Sequence, residues 1–307
     1  MYLLLIGNNK EFKDMKNHAF LIQTHSYPEL TEEIVGLLES PNHYFFLHVD
    51  AKQKNIDCFR DICKKYQNTI LIKNRLKVNW GGTSQYKATI ELLKESFYYP
   101  IHIDYFHFIS GQDFPCKRSS YIDCFFENQN KSYMFYDDPP LFEKYNNTRC
   151  GNHSYYLNDY LNYRNPYEKW IKGKLEKILS LVLPKRREIE HLRGGWCWFS
   201  WHRKVVAFVL DYLKANPSFI KRFDYTSCCD ELFFHTLLYP HLQELDIMSN
   251  NSLRYIEWNP KRMTNTLPLI LENTEYNDIM QSDAIFCRKI DPNLSKELII
   301  NIKKQIQ

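Results

Sequence analysis

The 307-residue chain has few of the residues that link or interrupt structure: nine glycines and 13 prolines, spread along its length. No Pro- or Gly/Ser-rich linker, low-complexity tract or internal repeat is present, which excludes a string of small modules and a solenoid. No run of about 18 apolar residues occurs, so no membrane-spanning helix is expected. The apolar stretch Tyr2-Leu-Leu-Leu-Ile6 is too short for the core of a secretion signal, and no basic stretch precedes it. GxGxxG and GxxxxGK[ST] are both missing, which excludes the dinucleotide fingerprint and the phosphate-binding Walker loop. CxxC pairs are missing too. The nine cysteines are odd in number and irregular in spacing, and a reduced, cytoplasmic setting is the simplest reading. A net charge of +4 is too small for a nucleic-acid footprint, so no nucleic-acid partner is expected. A few excess cations do suit an anionic substrate such as a nucleoside diphosphate, or peripheral association with a membrane, here at its inner face.

What the chain has is apolar and aromatic mass. Hydrophobic residues make up 44%, enough for a large core, and aromatics 16%, with 22 Tyr, 20 Phe and 6 Trp. Rings of this kind fill cores, and they also stack on the CH-rich faces of sugars.

The pattern along the chain alternates strand and helix. Residues 18–25 read as a buried strand, 28–39 as a helix, 44–50 as a second strand, 57–66 as a short helix and 69–72 as a third strand. Residues 84–96 then read as a helix and 105–110 as a fourth strand. Such alternation predicts an α/β fold with a mainly parallel sheet flanked by helices. Ligands bind such sheets beyond the carboxyl ends of the strands, where Thr24-His25, His48-Val-Asp50 and Ser110-Gly-Gln-Asp113 fall. Residues 133–193 are tyrosine-rich and less periodic, with a helix predicted over 170–183 and a basic cluster at Lys185-Arg186-Arg187. An aromatic strand from Gly194, a helix over 204–214 and a last strand over 285–289 complete the reading. No internal boundary stands out. Met15-Lys16-Asn17 immediately precedes the first strand, so residues 1–14 are expected to be a dispensable extension and 15–307 a single domain.

Asp230 and Glu231 sit at the head of an apolar run, Leu232-Phe-Phe-His-Thr-Leu-Leu238. Acids suit the first turn of a helix, and that reading needs no function. A carboxylate at the rim of an apolar pocket is also a ready general base.

Seven segments in order decide between these readings. They are Phe46-Leu-His-Val-Asp50-Ala-Lys52, Val78-Asn-Trp80-Gly-Gly-Thr-Ser84-Gln-Tyr-Lys-Ala88, Phe108-Ile-Ser-Gly-Gln-Asp113-Phe-Pro115, Gly194-Gly-Trp-Cys-Trp198-Phe, Cys229-Asp-Glu231-Leu-Phe-Phe-His-Thr236, Leu253-Arg254-Tyr-Ile-Glu-Trp258 and Phe286-Cys-Arg-Lys289-Ile-Asp291. Together they resemble the core-2/I-branching glycosyltransferases, a family that includes β-1,6-N-acetylglucosaminyltransferases and peptide O-xylosyltransferases.

The resemblance implies a GT-A type fold, a UDP-sugar donor and an inverting, metal-independent reaction with no cofactor. Asp-x-Asp, the usual metal-binding pair, is indeed missing: Asp137-Asp138 are adjacent, and Lys52 stands where a second acid would follow Asp50. The resemblance makes Glu231 the general base. It gives the leaving diphosphate to Arg254 and Lys289, and the nucleotide to Thr24, His25, Asp50, Lys52 and Ser84. Asp230, Trp196 and Trp258 are the candidates for the acceptor side. Residues 155–170 fall where the family builds its acceptor surface, but the match there is poor. GlcNAc is the expected sugar, with xylose as the alternative. An oligosaccharide, a lipid-linked glycan or a glycoprotein is the expected acceptor. A non-catalytic glycan- or nucleotide-binding protein on the same fold is the competing class, and the presence of Glu231, Arg254 and Lys289 together argues against it. His48 reads equally well as a satisfied core histidine, Asp113 as the residue that holds its own turn, and Cys228-Cys229 as two packed thiols.

Overall fold

The computed structural model describes residues 15–138, 154–161, 165–183, 189 and 191–307. The extension 1–14 and the basic cluster 185–187 lie outside them.

The main sheet has eight strands. Strands β1 (His18–Thr24), β2 (His43–Val49), β3 (Thr69–Leu71) and β4 (Tyr105–Ser110) are parallel and run β3-β2-β1-β4. On the far side of β4 the sheet continues with β7 (Gly195–His202), β6 (Ser132–Tyr136) and β8 (Ile247–Met248), and β9 (Asn250–Asn251) also pairs with β6. Strand β7 is antiparallel to both β4 and β6. The mainly parallel α/β sheet is the architecture that the alternating pattern predicts.

Both faces of the sheet are covered, which is why β1 and β2 are almost unbroken apolar runs. Successive residues still alternate between two cores, as strand geometry requires. Ala19 and Leu21 join a cluster with Tyr86, Ile90, Val205 and Val209, while Phe20 and Ile22 join one with Leu30, Ile34, Phe59, Ile122 and Leu298. The first cluster draws on α3 (Ser84–Phe97) and α6 (Arg203–Ala215). The second draws on α1 (Pro28–Leu38), α2 (Asp57–Lys65), α4 (Ser119–Glu127) and α10 (Lys296–Ile306).

A second, three-stranded sheet stands beside the exit of β4. It runs β10 (Arg254–Ile256), β11 (Phe286–Arg288), β5 (Asp113–Pro115), with Arg288 opposite Asp113. This sheet carries the C-terminal cations to the ends of the parallel strands.

Two elements differ from the sequence expectation. Tyr133-Met-Phe-Tyr136, read as aperiodic, is the interior strand β6. Tyr133 and Met134 are buried on opposite faces between β7 and β8, so no polar alternation marks them. The helix expected at 170–183 is α5 (Pro166–Val182), which starts four residues earlier. There Asn165 accepts hydrogen bonds from the backbone N–H groups of Tyr167 and Glu168, and Pro166 occupies the first turn.

Candidate active site

A cavity of about 580 Å³ opens at the carboxyl ends of β1, β2 and β4. Its lining includes Thr24, His25, Asp50, Lys52, Ser110 and Gln112 from those ends, Trp80 and Gln85 from the stretch entering α3, and Asp230, Glu231, Arg288, Lys289 and Trp258 from the C-terminal half. Close packing shapes the floor. A Cβ on Gly111 would stand 2.3 Å from Thr24 Oγ1, so only glycine lets the end of β4 pass the end of β1.

Asp50 and Lys52 build the wall next to β2. Asp50 Oδ1 accepts from Lys52 N at 2.8 Å, and the Lys52 ammonium lies 3.6 Å from Asp50 Oδ2 and 2.8 Å from Asn79 Oδ1. The pair thereby fastens the loop at Val78 and Asn79 that leads to Trp80. His48 is fully buried; its Nε2 accepts from Leu76 N at 3.0 Å while its Nδ1 has no hydrogen-bond partner, so it is a core histidine satisfied at one nitrogen only.

Asp230 and Glu231 lie on a single 3₁₀ turn, Cys229–Glu231, ahead of α8 (Phe233–Leu238). Phe233, Phe234 and Leu237 bury the apolar side of that helix and fix the turn. Cys228 opens it at φ 49°, a left-handed conformation uncommon outside glycine, with its N–H donating to Gly81 O at 3.0 Å. The acid turn and the Trp80-Gly81 loop are thus tied together. Gln85 Nε2 donates to Asp230 Oδ2 at 3.3 Å. The thiol of Cys197, in the same cavity, is pushed well up by burial first and then by the charges of Asp230 and Glu231. Cys229 is buried, whereas Cys228 lines the cavity, so the adjacent cysteines are not two packed thiols. No disulfide joins the described cysteines to one another.

The cations are arranged differently from the resemblance. Arg254 is not among the lining residues. Pairing between β4 and β7 stops at His107–Ser200, and the next carbonyls, Phe108 O and Phe199 O, both accept from Arg254 Nη2, at 3.0 and 2.8 Å. Arg254 Nη1 donates to Ser200 Oγ and Ser252 O at 2.8 and 2.6 Å. The guanidinium is a buried splice where two strands part. Burial pulls its pKa down to about 10, which leaves it charged at neutral pH. Arg288 takes the place in the cavity. Its guanidinium lies 4.3 Å from the Trp198 ring, donates to Ser110 Oγ and pairs with the fully buried Asp113 at 3.4 Å. Asp113 also accepts from Ser110 N, the turn-holding role its sequence context predicts.

Two further expected site residues lie outside the cavity lining. Ser84 does not line the cavity. Its N–H and hydroxyl both donate to Asp159 Oδ1, at 2.9 and 2.7 Å, while Thr83 N and Oγ1 donate to Oδ2. Asp159 caps α3 from a distant segment. Burial pushes its pKa up, but these hydrogen bonds outweigh it and hold the carboxyl below its ordinary value. Trp196 also stays out of the lining: it packs on Phe135, ring centres 4.4 Å apart, and backs Trp258 at 6.3 Å. Thr24, His25, Asp50, Lys52, Asp230, Glu231, Trp258 and Lys289 all meet in the one cavity. Sequence reasoning missed Trp80, Gln85 and Gln112, and left Arg288 without a role. Trp80 had a usable signal: a large apolar residue, 47% exposed, in a Gly-Gly loop at a strand exit.

The family model of core-2/I-branching enzymes matches residues 18–280. The chain belongs to that family. The family is one of glycosyltransferases, and the match covers the acid turn but ends before Arg288 and Lys289. Among similar proteins are the xylosyltransferase sqv-6 of Caenorhabditis briggsae, 23% identical over 93% of this chain and 36% of its own, and the xylosyltransferase oxt of Drosophila pseudoobscura pseudoobscura, 21% identical over 88% and 31%. The chain therefore spans about a third of the length of the curated relatives it matches. The solved apo structure of the WbbM bifunctional glycosyltransferase superposes with a TM-score of 0.44 and 10% identity, over 95% of this chain and 52% of that one. No weight rests on so distant a likeness.

Proposed function

We propose that the chain moves a sugar from a UDP-sugar to an acceptor hydroxyl with inversion, without a metal, and with Glu231 as general base. The observation that supports this most is the composition of one cavity. A carboxylate pair on a rigid turn and a cation pair at the exit of β11 line the same space at the strand ends. In the proposed step the Glu231 carboxylate accepts the proton of the acceptor hydroxyl. The acceptor oxygen bonds to the anomeric carbon as the bond from that carbon to the diphosphate oxygen breaks, and UDP leaves with the electron pair. Arg288 and Lys289 compensate the charge that builds on the diphosphate, a task a guanidinium performs through paired hydrogen bonds. Asp50, Thr24 and His25 face the same space from the nucleotide side, and Trp258 and Trp80 offer aromatic surface to a sugar.

Two donor sugars each have support. GlcNAc follows from the branching enzymes that name the family, and xylose from the xylosyltransferases among the relatives. Incubation with UDP-GlcNAc and UDP-xylose in turn, reading released UDP for the native chain and for Glu231→Gln, separates them. Release from one donor, lost in the variant, supports the reading. Tight UDP binding with no release from any UDP-sugar would sink it and favour a binding protein.

For the acceptor we propose a glycan carried at an anionic membrane surface, with the chain at the cytoplasmic side. Helix α5 exposes Tyr167, Trp170, Ile178, Leu181 and Val182, with Lys174 and Lys177 beside them. Asn158 ties the segment next to α5 to Gly81 O, close to Trp80 at the cavity. Flotation with vesicles containing anionic lipid should carry the chain upward, and Trp170→Glu/Leu181→Glu should abolish it. No flotation of the native chain at low salt would remove this part.

A further inference from the structure

At the end of the main sheet opposite the cavity, His18 and His43 begin β1 and β2 and stand side by side in register. Asp123 of α4 reaches between them. One ligand atom from each lies within 4.8 Å of the others. His43 Nε2 is 3.0 Å from Asp123 Oδ1, and His18 Nε2 is 3.7 Å from it. Both imidazoles are buried, while the Asp123 side chain keeps 17% exposure and so a way in from solvent.

Hydrogen bonding makes this cluster unusual. His43 Nδ1 lies 2.6 Å from Leu38 O. A carbonyl only accepts, so Nδ1 carries the hydrogen. In a neutral ring the Nε2 lone pair then faces a carboxylate oxygen at 3.0 Å, and a positive charge must stand between them: a proton or a metal ion. His18 gives the second, independent sign. Its Nδ1 is 3.0 Å from His107 Nε2, and its buried Nε2 has no hydrogen-bond partner. Ser200 Oγ has two lone pairs. One accepts from Arg254, and the other is 2.9 Å from His107 Nδ1. In the tautomers with His107 Nδ1–H donating to Ser200 and His18 Nδ1–H donating to His107, the orphaned His18 Nε2 is a lone pair aimed at the same point; in the reverse chain, led by the Ser200 hydroxyl, it is an N–H aimed at Asp123.

We propose that His18, His43 and Asp123 form a divalent-cation site that takes zinc. Two imidazoles and one carboxylate are a zinc ligand set with one position left for water. Tetrahedral zinc with bonds near 2.0–2.1 Å puts ligand atoms about 3.3 Å apart, and the observed 3.0 and 3.7 Å bracket that value. Both rings are already oriented from behind, His43 by Leu38 O and His18 by His107, and Asn42 Nδ2 donates at 2.7 Å to Asp123 Oδ1, the oxygen that faces them, fixing its place. From His18 to Thr24 is six residue steps, about 20 Å, so the ion does not touch the transfer chemistry. It pins β1, β2 and α4 together.

Metal content and thermal unfolding test the site. The chain is stripped with chelator, the chelator is removed, and zinc is added. One ion per chain is expected, with Tm rising by about 5 °C at a hundredfold excess over Kd. Asp123→Asn and His43→Gln, each of which keeps shape, should lose both the ion and the shift. Cobalt in place of zinc should show ligand-field bands without the intense near-ultraviolet band of thiolate ligation, which sets this site apart from the cysteines. Failure of the native chain to bind zinc stoichiometrically overturns the proposal and leaves a proton between His43 and Asp123. A thiolate spectrum, or equal binding by both variants, overturns it as well.

Discussion

Exchanging lysine for arginine at 254 and at 288 should give opposite phenotypes. Arg254 makes four hydrogen bonds, to Phe108 O, Phe199 O, Ser200 Oγ and Ser252 O, inside the fold. An ammonium is compact, has three donors and cannot span the fork, so at least one buried acceptor is left unsatisfied. At about 1–3 kcal/mol for each group so stranded, a loss of about 2–4 kcal/mol is expected. For a chain of this size that is a fall in Tm of about 5 °C. UDP affinity at a temperature where the variant is folded should stay within about twofold. Arg288→Lys keeps a cation beside Asp113 and on Trp198, so Tm should hold. It loses the paired donors to a diphosphate, and a charge-assisted hydrogen bond is worth about 1.5–3 kcal/mol, so the Kd for UDP should rise at least about tenfold. Calorimetry for UDP and a thermal melt on both variants decide the matter. If Arg254→Lys weakened UDP binding with an unchanged melt, the buried splice would be wrong and the resemblance's assignment right.

The remaining predictions concern the base, the metal and pH. Glu231→Gln should cut turnover roughly a hundredfold or more while UDP binding stays, and near-native turnover would refute the base assignment. Excess EDTA should leave the transfer rate unchanged at 25 °C if Arg288 and Lys289 compensate the diphosphate as proposed; abolition with rescue by manganese would refute that and reopen Asp50 as a ligand. His235 is buried, with Nε2 donating to Phe135 O at 3.0 Å and no partner on Nδ1, and burial lowers its pKa from 6.5 to about 3. The unfolded chain therefore binds this proton first as pH falls. Its contribution to stability is whole above about pH 6.5 and is lost progressively down to about pH 3, on the order of 3 kcal/mol by pH 4. His235→Asn should flatten the denaturation midpoint between pH 6.5 and 4 relative to the native chain, and an unchanged slope would refute the cause.

The parallel half of the sheet and the position of the cavity were legible because they rest on local signals. Runs of buried residues, helical periods between them and polar residues at the strand exits are all contained within a few residues of one another, as in Leu47-His-Val-Asp50. The acid turn was legible for the same reason: Asp230-Glu231 interrupts an apolar run that has to be inside. What the sequence alone did not show is which of two equivalent side chains a distant segment selects. Ser84 stands at a helix start that a nucleotide could use, yet Asp159, 75 positions away, satisfies it. Of the adjacent pair Arg288 and Lys289, the resemblance named only Lys289, although the structure brings both to the cavity. Strand β11 ends at Arg288, its pairing opposite Asp113 aims that side chain at Ser110, and Lys289 follows where the alternation no longer holds.

The case of Arg254 shows how the two kinds of information combine. As the first residue of β10, parallel to β11 with Phe286 beside it, its guanidinium is drawn over that ring at 4.8 Å and into the gap where β4 and β7 separate. Those strands must separate there, because β4 turns at Ser110-Gly111 to let the small sheet form, while β7 runs on beside β6. Two carbonyls lose their ladder partners at that point, and a buried carbonyl without a donor is costly. A fork of fixed donors repairs both at once. The same divergence that opens the cavity between the strand ends therefore creates the need for a buried arginine behind it. An arginine in this segment is explained by the architecture of the site without contact with anything bound in it, which leaves Arg288 and Lys289 as the cations that line the cavity from the small sheet.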